Sequence, residues 1–249
     1  MPIEKIVIAA ITQGLTEFLP ISSSGHLLLL RSLGFNYSQP IIVDIFLHLG
    51  SLLAILWFFR NLTLNSLKQL ARPLIISFIP AGLFGLLIYY RFESLFEAPS
   101  LLGLSFLITS IFIFLFSAIP FGKTRLTKVS TTQALFAGVF QALAIIPAIS
   151  RSGATLLGVK LAKLDSPAGF SFTFLMAIPA ITASVFLALS DLPSIQMVSL
   201  PLSLVGTFIS FVTSLFALKF LRLLIKKQSL LPFAWYTLIL SAITFGLFL

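Results

Sequence analysis

The sequence predicts an all-α polytopic membrane protein built as an inverted-topology repeat. Three observations carry that prediction. Of 249 residues, 58% are hydrophobic and 9% charged, with mean hydropathy +1.11; a soluble domain carries about 25% charged residues. Apolar stretches near the ~20 residues that a crossing helix needs alternate with short basic loops. Two apolar stretches break that pattern in the same way, each interrupted by proline and loaded with polar side chains.

Composition also excludes. With no cysteine, disulfides, thiol catalysis and thiolate metal sites are absent. The net charge of +9 lies mostly between apolar spans, so it orients the chain in a membrane and implies no nucleic-acid partner. No P-loop or dinucleotide fingerprint occurs, so nothing suggests ATP as a driver. The N-terminus lacks a basic n-region and an A-x-A site, so no cleavable signal peptide is expected. The 27 phenylalanines suit lipid-facing helices.

Residues 3–33 form the first broken stretch. Pro20 should stop a helix near Leu19, because proline lacks the donor and restricts the residue before it. Ser22, Ser23, Ser24 and Gly25 offer a cap and a new start. Each arm is too short to cross, so the expected element is a re-entrant hairpin, returning to about Leu33. Polar groups at that depth survive only when buried in protein or lining a cavity. A span at 41–59 follows, carrying Asp44 and His48. A loop at 60–72 holds Arg60, Lys68 and Arg72. Spans at 73–90 and 100–119 lead to a basic loop with Lys123, Arg125 and Lys128.

The pattern then returns. Residues 131–164 are apolar and broken at Pro147. Sliding the chain by 128 residues puts Gln13 on Gln141, Ser22 on Ser150, Ser24 on Ser152 and Gly25 on Gly153. Spans at 167–188, 199–225 and 231–249 complete the chain. One membrane domain over 1–249 therefore divides into repeat one (1–122) and repeat two (129–249), with ten helical segments and six full spans. A hairpin returns to its own side and three spans change side. The second half must then enter from the opposite face, and the two broken elements meet near the midplane. Twelve of the 16 basic residues fall on one face, against Lys5, Arg31 and Arg91 with Glu4, Glu93, Glu97 and Asp191 on the other. The first face is cytoplasmic. Both termini are expected outside, and the site should open outward.

The two hairpins carry the chemistry. Gln13 and Glu17 share a helix face at four residues' spacing. Ser23 and His26 lie three apart, where a histidine can take a serine's proton. The second hairpin reads PAISRSGAT. An arginine within the membrane is costly and marks function, and its planar fork suits phosphate. Ser150, Ser152 and Thr155 add donors at a helix start. Together these groups suggest attack on phosphorus. Each has a plainer reading: the serines as caps, His26 as an interhelical hydrogen bond, Glu17 as a paired structural carboxylate, Arg151 as a snorkelling side chain. Asp44 and His48 read equally as a structural pair at i, i+4 or as support behind the site. The rival class is a membrane transporter or lipid flippase, whose broken helices also meet at the midplane but which needs no nucleophile.

QGLTEFLPISSSGH resembles the (E/Q)xxxE-plus-SSxGH signature of the undecaprenyl-diphosphate phosphatase family, linked to bacitracin resistance. PAISRSGAT resembles that family's PGxSRSxxT motif, and the likeness extends along the whole chain. Ala148 stands where the family pattern has glycine. Gln13 takes the glutamine option, which leaves Glu17 as the signature's only carboxylate. The resemblance implies a hydrolase of the bacterial cell membrane. It would convert undecaprenyl diphosphate, a polyprenyl diphosphate lipid, to the monophosphate and inorganic phosphate, recycling the carrier for peptidoglycan. A divalent cation, Mg2+ or Ca2+, is implied. By matching position, Ser23 would be nucleophile, His26 acid/base, Glu17 a metal ligand or base, and Arg151 the diphosphate clamp. Gln13, Ser22, Ser150, Ser152 and Thr155 complete the expected substrate-binding set. The choice between Ser23 and His26 as the phosphorylated group stays open at this point.

Overall fold

A computed structural model describes residues 2–35, 40–91, 98–190, 200–227 and 229–248, without the side chains of Pro40, Tyr89 and Ser190. The described residues form ten α-helices: α1 (Ile3–Phe18), α2 (Ser23–Ser32), α3 (Pro40–Phe58), α4 (Leu64–Arg91), α5 (Leu102–Ala118), α6 (Thr131–Leu143), α7 (Arg151–Leu161), α8 (Ser166–Ser190), α9 (Leu200–Lys226) and α10 (Leu231–Phe248). Six of them, α3, α4, α5, α8, α9 and α10, are long and apolar enough to cross a membrane. Glu93, Glu97 and Asp191, used above to orient the chain, lie outside the described residues.

Both broken stretches fold as the proline and serine positions dictate. Helix α1 stops at Phe18, two residues before Pro20, and Leu19 is extended at φ −65° and ψ 144°. Ser22 turns the chain at φ 72° and caps α2, accepting from the Gly25 N–H at 3.1 Å. In the second stretch a reciprocal Ser130–Gln133 capping box opens α6. Ala148 then turns the chain at φ 64°, and Ser150 caps α7 from Gly153.

One boundary differs from the sequence reading. Residues 64–72, expected as loop, are the first turns of α4. Thr63 accepts from the Ser66 N–H at 3.2 Å, so a cap starts the helix well before its apolar part begins. Pro73 and Pro80 lie inside it. Lys68 and Arg72 made the segment look like a loop, but a helix can run past the hydrocarbon edge into water.

Packing crosses between the halves. Helix α1 lies along α9, α6 along α4, α3 along α9, and α5 along α10. Two glycines permit the closest approaches. A Cβ on Gly14 would collide with Thr213 and the Ser210 carbonyl of α9, and one on Gly138 with the Ser77 backbone of α4. Small residues at crossings are how helices associate where lipid supplies no hydrophobic drive. Hydroxyls add bonds between helices. Ser51 lies 3.2 Å from Ser210 and 3.0 Å from Ser214, and Ser110 and Ser241 donate to the Ala234 and Gly103 carbonyls at 2.8 and 2.7 Å. The apolar core gathers Phe18, Phe116, Phe170, Phe174, Leu218 and Leu221. Phe186, Phe208 and Phe216 point outward and are exposed, as lipid-facing side chains should be.

Lys160 is one of the twelve basic residues read from the sequence onto the cytoplasmic face. It is fully buried, donates to the Phe116 carbonyl at 2.6 Å and lies over the Phe116 and Phe121 rings. It satisfies a carbonyl in the last turn of α5, where a cation also suits the helix dipole.

Candidate functional site

Glu17, near the end of α1, is the centre of the site. It is 5% exposed, and a buried carboxylate is stable only when paired and hydrogen-bonded. Its partners come from its own helix and three others. Gln13 Nε2 donates to Oε2 at 2.9 Å, one turn back on α1. Ser23 Oγ, from the first residue of α2, donates to the same oxygen at 2.5 Å. Arg151, the first residue of α7, places Nη2 on Oε1. His48 of α3 brings Nε2 to 3.8 Å from Oε2. Ser152 donates to the Leu19 carbonyl at 3.0 Å. The two hairpin turns, remote in sequence, thus meet at one point.

The expected serine–histidine couple is not formed. Ser23 hands its hydrogen bond to Glu17. His26 Nδ1 lies 2.7 Å from the Ser22 carbonyl and Nε2 lies 2.7 Å from the Tyr236 hydroxyl of α10. Its ring stands edge-on to Phe106 at 5.6 Å between centroids. The carbonyl four residues back captures one nitrogen and α10 captures the other. Spacing along one helix reveals neither.

Asp44 and His48 also part. The Asp44 carboxylate pairs with Arg31 at 2.8 Å, while His48 Nδ1 lies 2.7 Å from the Asp44 backbone carbonyl. The i, i+4 relationship therefore runs through the backbone, and it turns His48 Nε2 toward Glu17.

The other expected ligands have local partners. Ser22 and Ser150 are helix caps. The Ser150 N–H donates to Thr109 Oγ1 at 3.0 Å, and Thr155 Oγ1 donates to the Arg151 carbonyl at 2.7 Å. A small cavity beside the ion pair is lined by Glu17, Arg151, Ser152, Thr155 and Thr173. Thr173 Oγ1, on α8, is buried there without a hydrogen-bond partner. Sequence reasoning missed Thr173 and Tyr236. FSFTF offers two hydroxyls, Ser171 and Thr173, with nothing local to choose between them, and nothing local marks Tyr236.

Among the described residues, no cluster of three or more histidine, aspartate or glutamate side chains could hold a metal. The oxygen donors at the centre are the Glu17 carboxylate and Gln13 Oε1, which is buried and unpartnered. A carboxylate and an amide oxygen suit a hard cation that takes its remaining ligands from phosphate and water.

Residues 6–243 match the family model of the bacitracin resistance protein BacA. The chain is 36% identical over 245 residues to the undecaprenyl-diphosphatase of Carboxydothermus hydrogenoformans, covering 95% of this chain and 94% of that protein. It is 35% identical over 270 residues to that of Methanobrevibacter smithii, covering 98% and 97%. Undecaprenyl-diphosphatase 4 of Bacillus thuringiensis is 36% identical over 238 residues, covering 92% and 91%.

Proposed function

This chain belongs to the bacitracin resistance protein BacA family, and from that premise we propose that it hydrolyses undecaprenyl diphosphate to undecaprenyl phosphate and inorganic phosphate. It is a phosphatase of the cell membrane, and its product is the monophosphate carrier used again for envelope polymers. The observation that carries the reading is the carboxylate of Glu17, bonded at once to the Ser23 hydroxyl and to Arg151. A transporter has no use for a hydroxyl poised on a buried base.

Ser23 is the nucleophile and Glu17 its base. Ser23 Oγ attacks the terminal phosphorus and its proton passes to Glu17 Oε2. The bond from phosphorus to the bridging oxygen breaks, and the electron pair leaves on undecaprenyl phosphate. Water then attacks the phosphoserine and gives a proton to His26 Nε2. Ser23 Oγ departs with the proton from Glu17, and His26 returns its own to solvent. Serine is preferred over histidine as the phosphorylated group because its hydroxyl already rests on a base, Glu17.

Arg151 changes partner during the cycle. Before substrate arrives it neutralises Glu17. The diphosphate draws its fork away, which leaves Glu17 a stronger base at the moment Ser23 must lose its proton. Ser152 and Thr155 line the pocket behind it. Glu17 and Gln13 Oε1 are the groups that would hold Mg2+ or Ca2+ against the diphosphate. Such a cation supplies neutralisation of phosphate charge when bound.

The chain is an inverted repeat, with both termini outside and the site open to the outer face. The 128-residue correspondence supports this, and so does the exchange of packing partners. Helices α1 and α6 are equivalent in the repeat, as are α9 and α4; the first hairpin lies along α9 and the second along α4.

The deciding experiment is phosphate release by purified protein given undecaprenyl diphosphate. Stoichiometric phosphate and monophosphate lipid support the reading. No phosphate, with lipid moved between leaflets of a vesicle, would establish the transporter instead.

A further inference from the structure

We propose that Tyr236 of α10 is a positioning residue for His26, holding the imidazole with Nε2 as the proton acceptor in the site. His26 Nδ1 lies 2.7 Å from the Ser22 carbonyl oxygen. A carbonyl only accepts, so Nδ1 carries the hydrogen. In the neutral ring Nε2 then has a bare lone pair, and at 2.7 Å from it stands the Tyr236 hydroxyl, which must donate. The tautomer is fixed by these two partners together.

The ring plane is fixed as well. Tyr236 lies beside His26 with centroids 5.7 Å apart and planes 10° from parallel. Phe106 of α5 closes the edge at 5.6 Å and 79°. The imidazole is therefore held by its own helix, by α5 and by α10. A phenol suits the position because its hydroxyl both donates and accepts. It donates to Nε2 when the ring is neutral; when a proton arrives the phenol oxygen takes it and passes its own to Nε2, and the hydroxyl then accepts from Nε2–H. The histidine keeps its orientation through both halves of the cycle. The carboxylate of the site, Glu17, is engaged with Ser23 and Arg151.

A purely structural Tyr236 would act through its ring alone. Tyr236→Phe separates the two, since it keeps the ring and removes only the hydroxyl. The residue is 41% exposed, so the change opens no buried cavity.

This inference rests on the acid/base reading of His26, and the test separates the two. The chain has two histidines, His26 and His48, so histidine labelled with 15N gives a spectrum that His48→Gln assigns. Full-length protein in lipid nanodiscs should show His26 as a single Nδ1–H tautomer with a hydrogen-bonded Nε2. In Tyr236→Phe the Nε2 resonance should move to the position of an unbonded nitrogen. An unmoved resonance overturns the proposed contact, whatever the enzyme does. In turnover, Tyr236→Phe should lower kcat about tenfold, the scale of one lost hydrogen bond, with KM unchanged. In a His26→Ala background the same change should have no further effect. A moved resonance with wild-type kcat, or an equal loss in both backgrounds, overturns the positioning role. Absent phosphate release by the unmutated protein would instead remove the acid/base reading, with the spectrum still reporting the contact.

Discussion

Arg151 opens α7 by closing an ion pair on Glu17 of α1, 134 residues earlier in the chain. One ion pair, its carboxylate buried and its guanidinium partly exposed, ties the two hairpins together. Removing one partner of a fully buried pair typically costs 3–5 kcal/mol, and the solvent that reaches Arg151 lowers that cost here. Glu17→Gln should therefore lower both stability and turnover. The double variant Glu17→Gln with Arg151→Gln should recover much of the stability and none of the activity. Thermal unfolding and phosphate release, measured on the same preparations, check both halves of that outcome.

Arg151→Lys keeps the charge and loses the fork. A point charge can still neutralise Glu17 but cannot grip a diphosphate in two places. Near-normal unfolding temperature with turnover down by about a hundredfold is expected, since substrate positioning and charge stabilisation are lost together. Wild-type turnover would take Arg151 out of the site.

Ser23→Ala removes the hydroxyl and almost no volume. If Ser23 attacks phosphorus, the loss should exceed the roughly 10²–10⁴-fold of a general base alone. Adding His26→Ala should then cost little more, because groups that act as one unit are not additive. Turnover within a few-fold of wild type in Ser23→Ala would move the attack to His26 or to water. Ser23 would then be only the first residue of α2, hydrogen-bonded to Glu17.

Ala148 occupies the left-handed region at φ 64°. That conformation costs an L-residue roughly 1–2 kcal/mol, and glycine is free of the cost. Ala148→Gly should stabilise by about 1 kcal/mol, less than the full relief. The Ala148 methyl packs with Leu28, Leu102 and Phe106, and glycine gives that contact up. Denaturant unfolding reads the gain, and turnover should be unchanged. A destabilised variant would mean that the methyl contact outweighs the backbone.

A reporter that works only in the cytoplasm, fused after Leu249, should be inactive, as both termini are proposed to face outside. A live reporter would put the C-terminus in the cytoplasm and overturn the proposed orientation.

The sequence was enough for the class, the six spans and the two hairpins, because these follow from local rules. Proline ends α1, serines cap α2 and α7, and length with apolarity sets a span. The residues of the centre were legible too. Glu17, Ser23 and Arg151 are polar where polarity is costly, so their types alone mark them. The proposed repeat rests on Gln13, Ser22, Ser24 and Gly25 and their counterparts.

Tertiary structure decided who touches whom. Ser23 and His26 are three residues apart, yet Ser23 binds Glu17 and His26 binds Tyr236. Asp44 and His48 are four apart, yet one faces Arg31 and the other Glu17. The sequence places Lys160 with the basic residues of one face, and only packing delivers it the Phe116 carbonyl of α5. The physical reason is the same in each case. Helical spacing fixes which side chains share a face. A hydrogen bond goes to the partner that the packing of other helices delivers, and in an apolar interior a polar group takes that partner or remains unpaired.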